Sequence, residues 1–181
     1  LMEALGKKVE TLLVKGRSNY LCQRRLSDAL SERDLFSESL EGIEELAAWA
    51  QESASGSKSD LSWLPEESLW ARVCSESDTC LGMRCPSRDS CFVLKLKREA
   101  AASRILVVNH HLLFADLAAR AKGAGFEQAA VLPPWDRLII DEAHNIEDSA
   151  TSFFSESFGR LGLFRQMSRL LRFRGSSISG L

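Results

Sequence analysis

Two carboxylates and a histidine that follow an apolar run have the clearest potential for chemistry. Residues 138–140 are Leu-Ile-Ile, Asp141 and Glu142 come directly after them, and His144 follows. In open α/β sheets, ligands bind beyond the carboxyl ends of the strands. A carboxylate there can hold Mg²⁺ against nucleotide phosphates, and its neighbour can orient or deprotonate an attacking water. The pattern predicts a buried strand at about 137–141 and a nucleotide-hydrolysing site after it. Acids that merely end a strand at solvent are the alternative.

The cysteines form the second group of residues that could do chemistry. Cys80, Cys85 and Cys91 are spaced C-x4-C-x5-C in an irregular polar stretch, 74–91, and Cys22 stands alone near the start. Zinc sites usually present tighter pairs of cysteines. Iron–sulfur clusters accept wider gaps and a remote fourth cysteine. Cys22 would be that remote ligand, or Cys74 would close the set within the stretch. Zinc binding and buried free thiols remain the alternatives.

Apolar periodicity indicates which elements position these residues. A strand at about 105–109, a helix after it and a second strand at about 137–141 predict a parallel α/β sheet, because both strands are continuously apolar. Helical spacing of apolar residues predicts further helices. They are 1–15, 37–51, 65–72, 92–103 and 152–173, the last with a basic face.

Composition limits the number of domains and the classes of function that the chain can have. The chain has 181 residues and a formal net charge of -2, so it can form one domain or two small ones, and its charge neither favours nor excludes nucleic acid. No apolar run is long enough to predict a membrane span. Five cysteines without an export signal favour the reducing cytoplasm. Leu1 before Met2 suggests that the sequence is an internal piece of a longer protein.

Three segments resemble the XPD/DinG branch of the superfamily-two DNA helicases. "IIDEAH" after an apolar run resembles the Walker B motif of the DEAH type, and "VVNHHLLFADL" (107–117) resembles the segment that precedes it in that branch. "GRSNYLCQRRL" and "DTCLGMRCPSRDSCF" resemble the iron–sulfur domain of the same branch. The resemblance is to bacterial DinG-like helicases and covers the chain from about residue 10 to residue 150. It implies part of a RecA-like parallel-sheet motor domain at 104–181 and a mostly helical iron–sulfur insertion at 1–103.

The resemblance also implies roles for individual residues. Asp141 would bind Mg²⁺ through water, Glu142 would activate the hydrolytic water, and His144 would couple the nucleotide state to the DNA-binding surface. A [4Fe-4S] cluster would be held by four cysteines, with Cys74 outside the set. The implied ligands are Cys22, Cys80, Cys85 and Cys91.

One family feature is absent from the sequence. The phosphate-binding loop G-x-x-x-x-G-K-[ST] does not occur, since Lys8 stands where Ser or Thr should follow the Gly-Lys pair. This loop supplies most donors to the β- and γ-phosphates of ATP. The chain alone is therefore expected not to hydrolyse ATP, although the whole protein would use ATP and Mg²⁺ to move 5′ to 3′ along DNA in repair or replication.

Basic residues around the cysteines predict contacts with DNA phosphates. They are Arg24, Arg25, Arg88, Lys95 and Lys97. Single-stranded and forked DNA are the expected partners of a monomeric protein without membrane contact. The main alternative is a non-catalytic, zinc-stabilised nucleic-acid-binding module. An exonuclease-fused helicase and an RNA helicase share some of these motifs.

Overall fold

The structure is a computed structural model that describes residues 9–36, 42–124, 130–155, 171–174 and 177–180. Its contacts divide the chain into two units, residues 1–140 and residues 141–181. The described part is mostly helical, with a small parallel sheet. Within the described residues, no helix has the length and apolar character needed to cross a membrane.

Five helices and two strands position the cysteines in the described part of the first unit. Of the predicted helices, 65–72 and 92–103 are confirmed, and 37–51 is confirmed from Ile43 onward, since 37–41 lie outside the described residues. The elements are β1 Thr11–Leu13, α1 Gln23–Phe36, α2 Ile43–Glu52, α3 Glu67–Val73, α4 Phe92–Ala102, β2 Ile105–Val107 and α5 His110–Ala119.

The parallel sheet joins β1 to β2, which are far apart in the sequence. Leu12 pairs with Leu106, and Leu13 pairs with Val107. Leu12 and Leu106 pack against a small core, whereas Leu13 and Val107 are about half exposed on the other face. The strand predicted at about 105–109 is thus confirmed at Ile105–Val107. The helix predicted at 1–15 is wrong at Thr11–Leu13, because pairing with β2 overrides a short helical pattern; residues 1–8 lie outside the described part.

The strand predicted at 137–141 is not formed. Residues 137–140 have no regular secondary structure, and Leu138, Ile139 and Ile140 are 45%, 94% and 38% exposed. A continuously apolar strand needs neighbouring strands and a cover on both faces. Within the described residues, the parallel sheet contains only β1 and β2 and gives this segment no partner.

The larger core lies between the first three helices. Leu26 of α1, Ile43 and Leu46 of α2, and Val73 of α3 are almost completely buried there. Burying such a side chain contributes about 1.5–3 kcal/mol. Trp70 of α3 joins this core, and its indole N–H donates to the carbonyl oxygen of Ser18 at 2.8 Å. This packing fixes the segment before α1, where Cys22 lies.

A buried ion pair fastens the segment after α5. The Arg120 guanidinium donates to the Asp116 carboxylate at 2.7 Å, and both side chains are inaccessible to solvent. The same carboxylate accepts the backbone N–H of Leu132 at 2.8 Å and the indole N–H of Trp135 at 3.0 Å. Burial alone would raise the pKa of Asp116, but these hydrogen bonds outweigh it and hold the pKa below its ordinary value.

The second unit is described only in part. A 3-10 turn at Ala143–Asn145 leads into α6, Ile146–Phe154, and β3, Leu171–Arg174, pairs antiparallel with β4, Ser177–Gly180. The helix predicted at 152–173 is therefore wrong beyond Phe154 in the described residues. Backbone groups at 171–174 bond to β4 rather than within a helix. Residues 156–170, with most of the predicted basic face, lie outside the described part.

The Asp116 ion pair predicts an acid limit to stability. Because the folded pKa lies below the unfolded value of about 3.9, the contribution is complete above that value and is lost as the pH falls through the folded pKa. Asp116→Asn should leave Arg120 buried without its charge partner and cost about 3–5 kcal/mol at neutral pH. Urea unfolding at pH 7 measures the free energy lost in Asp116→Asn. The same experiment on the wild type at pH 3 measures the stability lost in acid. Asp28→Asn, at an exposed ion pair, is the control and should cost about 0–1 kcal/mol. An equal loss in both variants would contradict the assignment.

Candidate cysteine and carboxylate sites

Backbone pairing fixes the position of Cys22. Leu21 and Cys74 form an antiparallel bridge. On either side of the bridge, the N–H of Cys22 donates to Val73 O and the N–H of Ser75 donates to Tyr20 O, both at 2.8 Å. Cys22 therefore lies at the start of α1, beside the point where the cysteine-rich stretch 74–91 begins.

Two arginines extend this attachment. The Arg25 guanidinium donates to Cys74 O at 2.7 Å and Ala71 O at 2.8 Å, and it lies 3.0 Å from the Glu76 carboxylate. Arg24 donates to Thr79 O at 2.9 Å, and a second nitrogen contacts the carboxylate of Asp28. Since Thr79 immediately precedes Cys80, α1 is joined to the backbone that carries the next cysteine.

The other three predicted ligands share one local geometry. Each has a backbone N–H that closes a tight turn onto the carbonyl oxygen three residues earlier. Cys80 binds Ser77 O at 3.3 Å, and Cys85 and Cys91 bind Gly82 O and Arg88 O at 3.2 Å. Cys80 is exposed, and Cys85 and Cys91 are half-buried. The turns place the thiols on irregular backbone, outside the two hydrophobic cores.

The far end of the stretch also returns to the Cys22 segment. Gly56 has a φ of +65°, and its carbonyl oxygen accepts the N–H of Leu21 at 2.9 Å. The ring of Phe92 lies directly against Gly56: a Cβ there would be 2.2 Å from the ring. Phe92 follows Cys91, so both ends of the cysteine stretch are anchored beside Cys22.

The donor set can be compared with the needs of an iron–sulfur cluster. Four thiols on two anchored segments fit the donor chemistry of a [4Fe-4S] cluster. However, in the described part of the chain no three Cys, His, Asp or Glu side chains converge into a metal site. The four thiols thus lie in the first unit. In the described residues they do not converge as cluster ligands must.

Cys74, outside the implied ligand set, has a different environment. It is buried in the larger core. Burial raises the pKa of its thiol, and the positive charge of Arg25 only partly opposes this effect. Cys74 is therefore a packed thiol of the core, whereas Cys80 is exposed to solvent.

The acidic pair lies at a turn. The Asp141 carboxylate accepts the N–H of Glu142 at 2.9 Å. Glu142 has a φ of +49°, a conformation that a residue with a Cβ seldom adopts. Its carboxylate lies 3.2 Å from Nδ1 of His144, and both side chains are largely exposed. Glu142 and His144 are thus brought together, whereas Asp141 bonds within its own turn.

The predicted DNA contacts have different surroundings. The guanidinium groups of Arg24 and Arg25 donate to backbone carbonyl oxygens of the protein itself. Lys95 donates to Ala54 O at 2.7 Å. Lys97 is exposed and Arg88 is half-buried. Their contact with DNA stays a prediction.

Comparison with known proteins finds bacterial helicases that are similar to this chain. The chain is 39% identical to the ATP-dependent DNA helicase YoaA of Escherichia coli. The alignment of 157 residues covers 86% of the chain and 24% of that helicase. The chain is also 30% identical to the ATP-dependent helicase DinG of Mycobacterium tuberculosis. This alignment of 167 residues covers 84% of the chain and 24% of that helicase.

The chain is homologous to the bacterial DinG and YoaA helicases. The resemblance found in the sequence motifs is thereby confirmed. A protein named 3′-5′ exonuclease DinG, from Bacillus subtilis, is 27% identical over 90% of the chain. No family model matches. The chain spans about a quarter of the length of the DinG and YoaA relatives quoted above.

Sequence reasoning missed the residues that anchor the cysteines. Arg24 and Arg25 follow Cys22 in a basic collar, which predicts contact with DNA phosphates, but the sequence does not reveal that both guanidinium groups bond to backbone carbonyl oxygens. Gly56 stands in a Ser/Gly loop, and a loop glycine signals a positive φ only weakly. Asp116 could have been found from the sequence, because an acid inside a mostly apolar helix indicates a buried carboxylate with partners.

Proposed function

We propose that this chain is part of an ATP-dependent DNA helicase that translocates 5′ to 3′ on single-stranded DNA and unwinds forked duplexes in repair or replication. Its homology to YoaA and DinG, which are named as ATP-dependent helicases, carries the proposal. Residues 104–181 would contribute part of the first motor domain, and residues 1–103 an iron–sulfur insertion. Nucleotide hydrolysis would require a phosphate-binding loop that this sequence does not contain.

The acidic turn has the groups that nucleotide hydrolysis needs. Asp141 would hold Mg²⁺ through water, and Glu142 would orient and deprotonate the attacking water. The 3.2 Å approach of the Glu142 carboxylate to Nδ1 of His144 supports a shared role of the two residues. His144 would then couple the state of the nucleotide to the DNA-binding surface.

The cysteines would hold a [4Fe-4S] cluster, with Cys22, Cys80, Cys85 and Cys91 as ligands. The anchoring of both ends of the stretch beside Cys22 supports this set. The cluster would supply a rigid core for a segment with few apolar residues. Arg88, Lys95 and Lys97 would contact phosphates of the DNA strand.

The motor proposal is tested in the longest natural protein that contains this chain. Glu142→Gln should lower DNA-stimulated ATP hydrolysis by about 10²–10⁴-fold, the range for a lost general base, and leave ATP binding nearly unchanged. Asp148→Asn, an exposed acid on α6, is the matched control and should retain activity. ATPase rates and nucleotide affinities are measured for both. A Glu142→Gln variant with wild-type turnover would refute the role of Glu142.

The cluster proposal is tested by metal analysis of the 181-residue chain. After anaerobic reconstitution, the wild type should contain about four irons and four acid-labile sulfides per chain, as a [4Fe-4S] cluster requires. Cys85→Ser should lose both, and Cys74→Ser should keep them because Cys74 is a core thiol. One zinc without sulfide would instead support the nucleic-acid-binding module.

A further inference from the structure

A recess lies at the carboxyl end of β1, between that strand, the loop 54–60 and helix α4. Its volume is about 350 Å³. In parallel sheets, ligands bind beyond the carboxyl ends of the strands, and pockets for small ligands typically have volumes of about 300–1,000 Å³. The recess therefore has a suitable place and sufficient room for one small ligand group.

The apolar and polar surfaces of the recess come from different elements. Leu12 of β1 and Phe92 and Leu96 of α4 supply apolar surface. The loop supplies three hydroxyl groups and a carboxylate, from Ser55, Ser57, Ser59 and Asp60. A flat group with apolar faces and hydrogen-bonding edges suits this combination, and a nucleobase is such a group.

Two lysines add positive charge to the recess. The ammonium group of exposed Lys95 donates to Ala54 O at 2.7 Å, and that of half-buried Lys15 donates to Ser59 Oγ. Because an ammonium group has three donors, each contact with the loop fixes the group and leaves donors for a ligand. Two ammonium groups fixed in this way suit the phosphates on either side of one base in a DNA strand.

Two carboxylates narrow the choice of ligand. Asp60 and Glu99 line the recess together with the two lysines, so the charges of these four groups cancel. A bare polyanion gains little there, whereas a base whose amino group donates to a carboxylate gains a charge-assisted hydrogen bond. Adenine, cytosine and guanine carry an amino group, and thymine does not. Since Asp60 already accepts the hydroxyl groups of Ser55 and Ser59, exposed Glu99 is the better acceptor.

We propose that the recess receives one base of single-stranded DNA, with Glu99 accepting the amino group of the base and Lys15 and Lys95 contacting the adjoining phosphates. This inference rests on the proposed function, the binding of single-stranded DNA. It adds to that function a site that selects among the bases, and it requires no metal at the cysteines. We name this site the base recess.

The first measurement compares two strands that differ in the amino group. Fluorescence anisotropy gives the affinities of the 181-residue chain for oligodeoxycytidine and oligodeoxythymidine of equal length, at neutral pH and low salt. The wild type should bind the cytidine strand about tenfold more tightly, as expected for a hydrogen bond to a charged group. Glu99→Ala should abolish this preference because it removes the acceptor. Lys95→Gln should weaken the binding of both strands and keep the preference, because phosphate contacts carry no base information.

Two control variants separate the base recess from general effects of charge. Glu45→Ala removes an exposed acid from α2, and Arg98→Gln removes an exposed cation from α4. Neither residue lines the recess, so both variants should keep the preference for cytidine. If Glu99→Ala keeps the preference as well, or if the wild type binds both strands equally, the base recess is overturned and DNA binding stands. A wild type that binds neither strand would refute the DNA-binding function on which the inference rests.

The second measurement locates the bound base. A strand that carries one 5-iododeoxycytidine is irradiated with the wild type, because the iodinated base couples to an adjacent aromatic ring, and mass spectrometry identifies the cross-linked peptide. We expect peptides that contain Tyr20 or Phe92, the two aromatic residues that line the recess. Cross-links only at other aromatic residues would overturn the site.

A competition experiment distinguishes a base in a strand from a free nucleotide. Oligodeoxycytidine should displace the iodinated strand, whereas deoxycytidine monophosphate at the same concentration of nucleotide should not, because it lacks the second phosphate contact. Equal displacement by the monophosphate would assign the recess to a free nucleotide and overturn the proposed contact with the strand.

Discussion

The pairing of residues 20–22 with residues 73–75 is the contact on which the cysteine-rich part depends. Two backbone hydrogen bonds and the Leu21–Cys74 bridge join segments that are far apart in the sequence. The larger core buries Leu21, Val73 and Cys74 of this pairing. On its edge lie Cys22 and the two arginines. Hydrophobic packing thus supplies the free energy, and hydrogen bonding sets the register that places a thiol at a defined point.

This pairing helps to explain how the polar stretch 74–91, which has few apolar residues, is ordered. The stretch contributes only Cys74 and Phe92, its flanking residue, to the larger core. The stretch is held near its ends by the hydrogen bond from Arg24 to Thr79 O and by the ring of Phe92 against Gly56. Between these anchors, the three tight turns that end at cysteines leave the thiols free of regular structure. A cluster would then complete a segment that the protein has already confined.

Local patterns predicted the fold where the elements depend on their own residues. The amphipathic helix α2 and the strand β2 were evident from periodicity, and the motifs named the family before any comparison. The helix α1 gave little signal, because most of its residues are polar and only Leu26, Ala29 and Leu30 are placed in or against the larger core. Prediction also failed where elements depend on partners distant in sequence. β1 is a strand because β2 lies beside it, and residues 138–140 remain outside the sheet because the described residues offer them no neighbouring strand.

We infer that hydrogen bonds within the protein, rather than a metal, hold the cysteine stretch beside Cys22. Amide hydrogen exchange of the iron-free chain measures this. We expect slow exchange for the bonded amides of Cys22, Leu21 and Ser75, and fast exchange for exposed Met83 in the middle of the stretch. Equally fast exchange at all four amides, with protection appearing only after iron and sulfide are added, would contradict it.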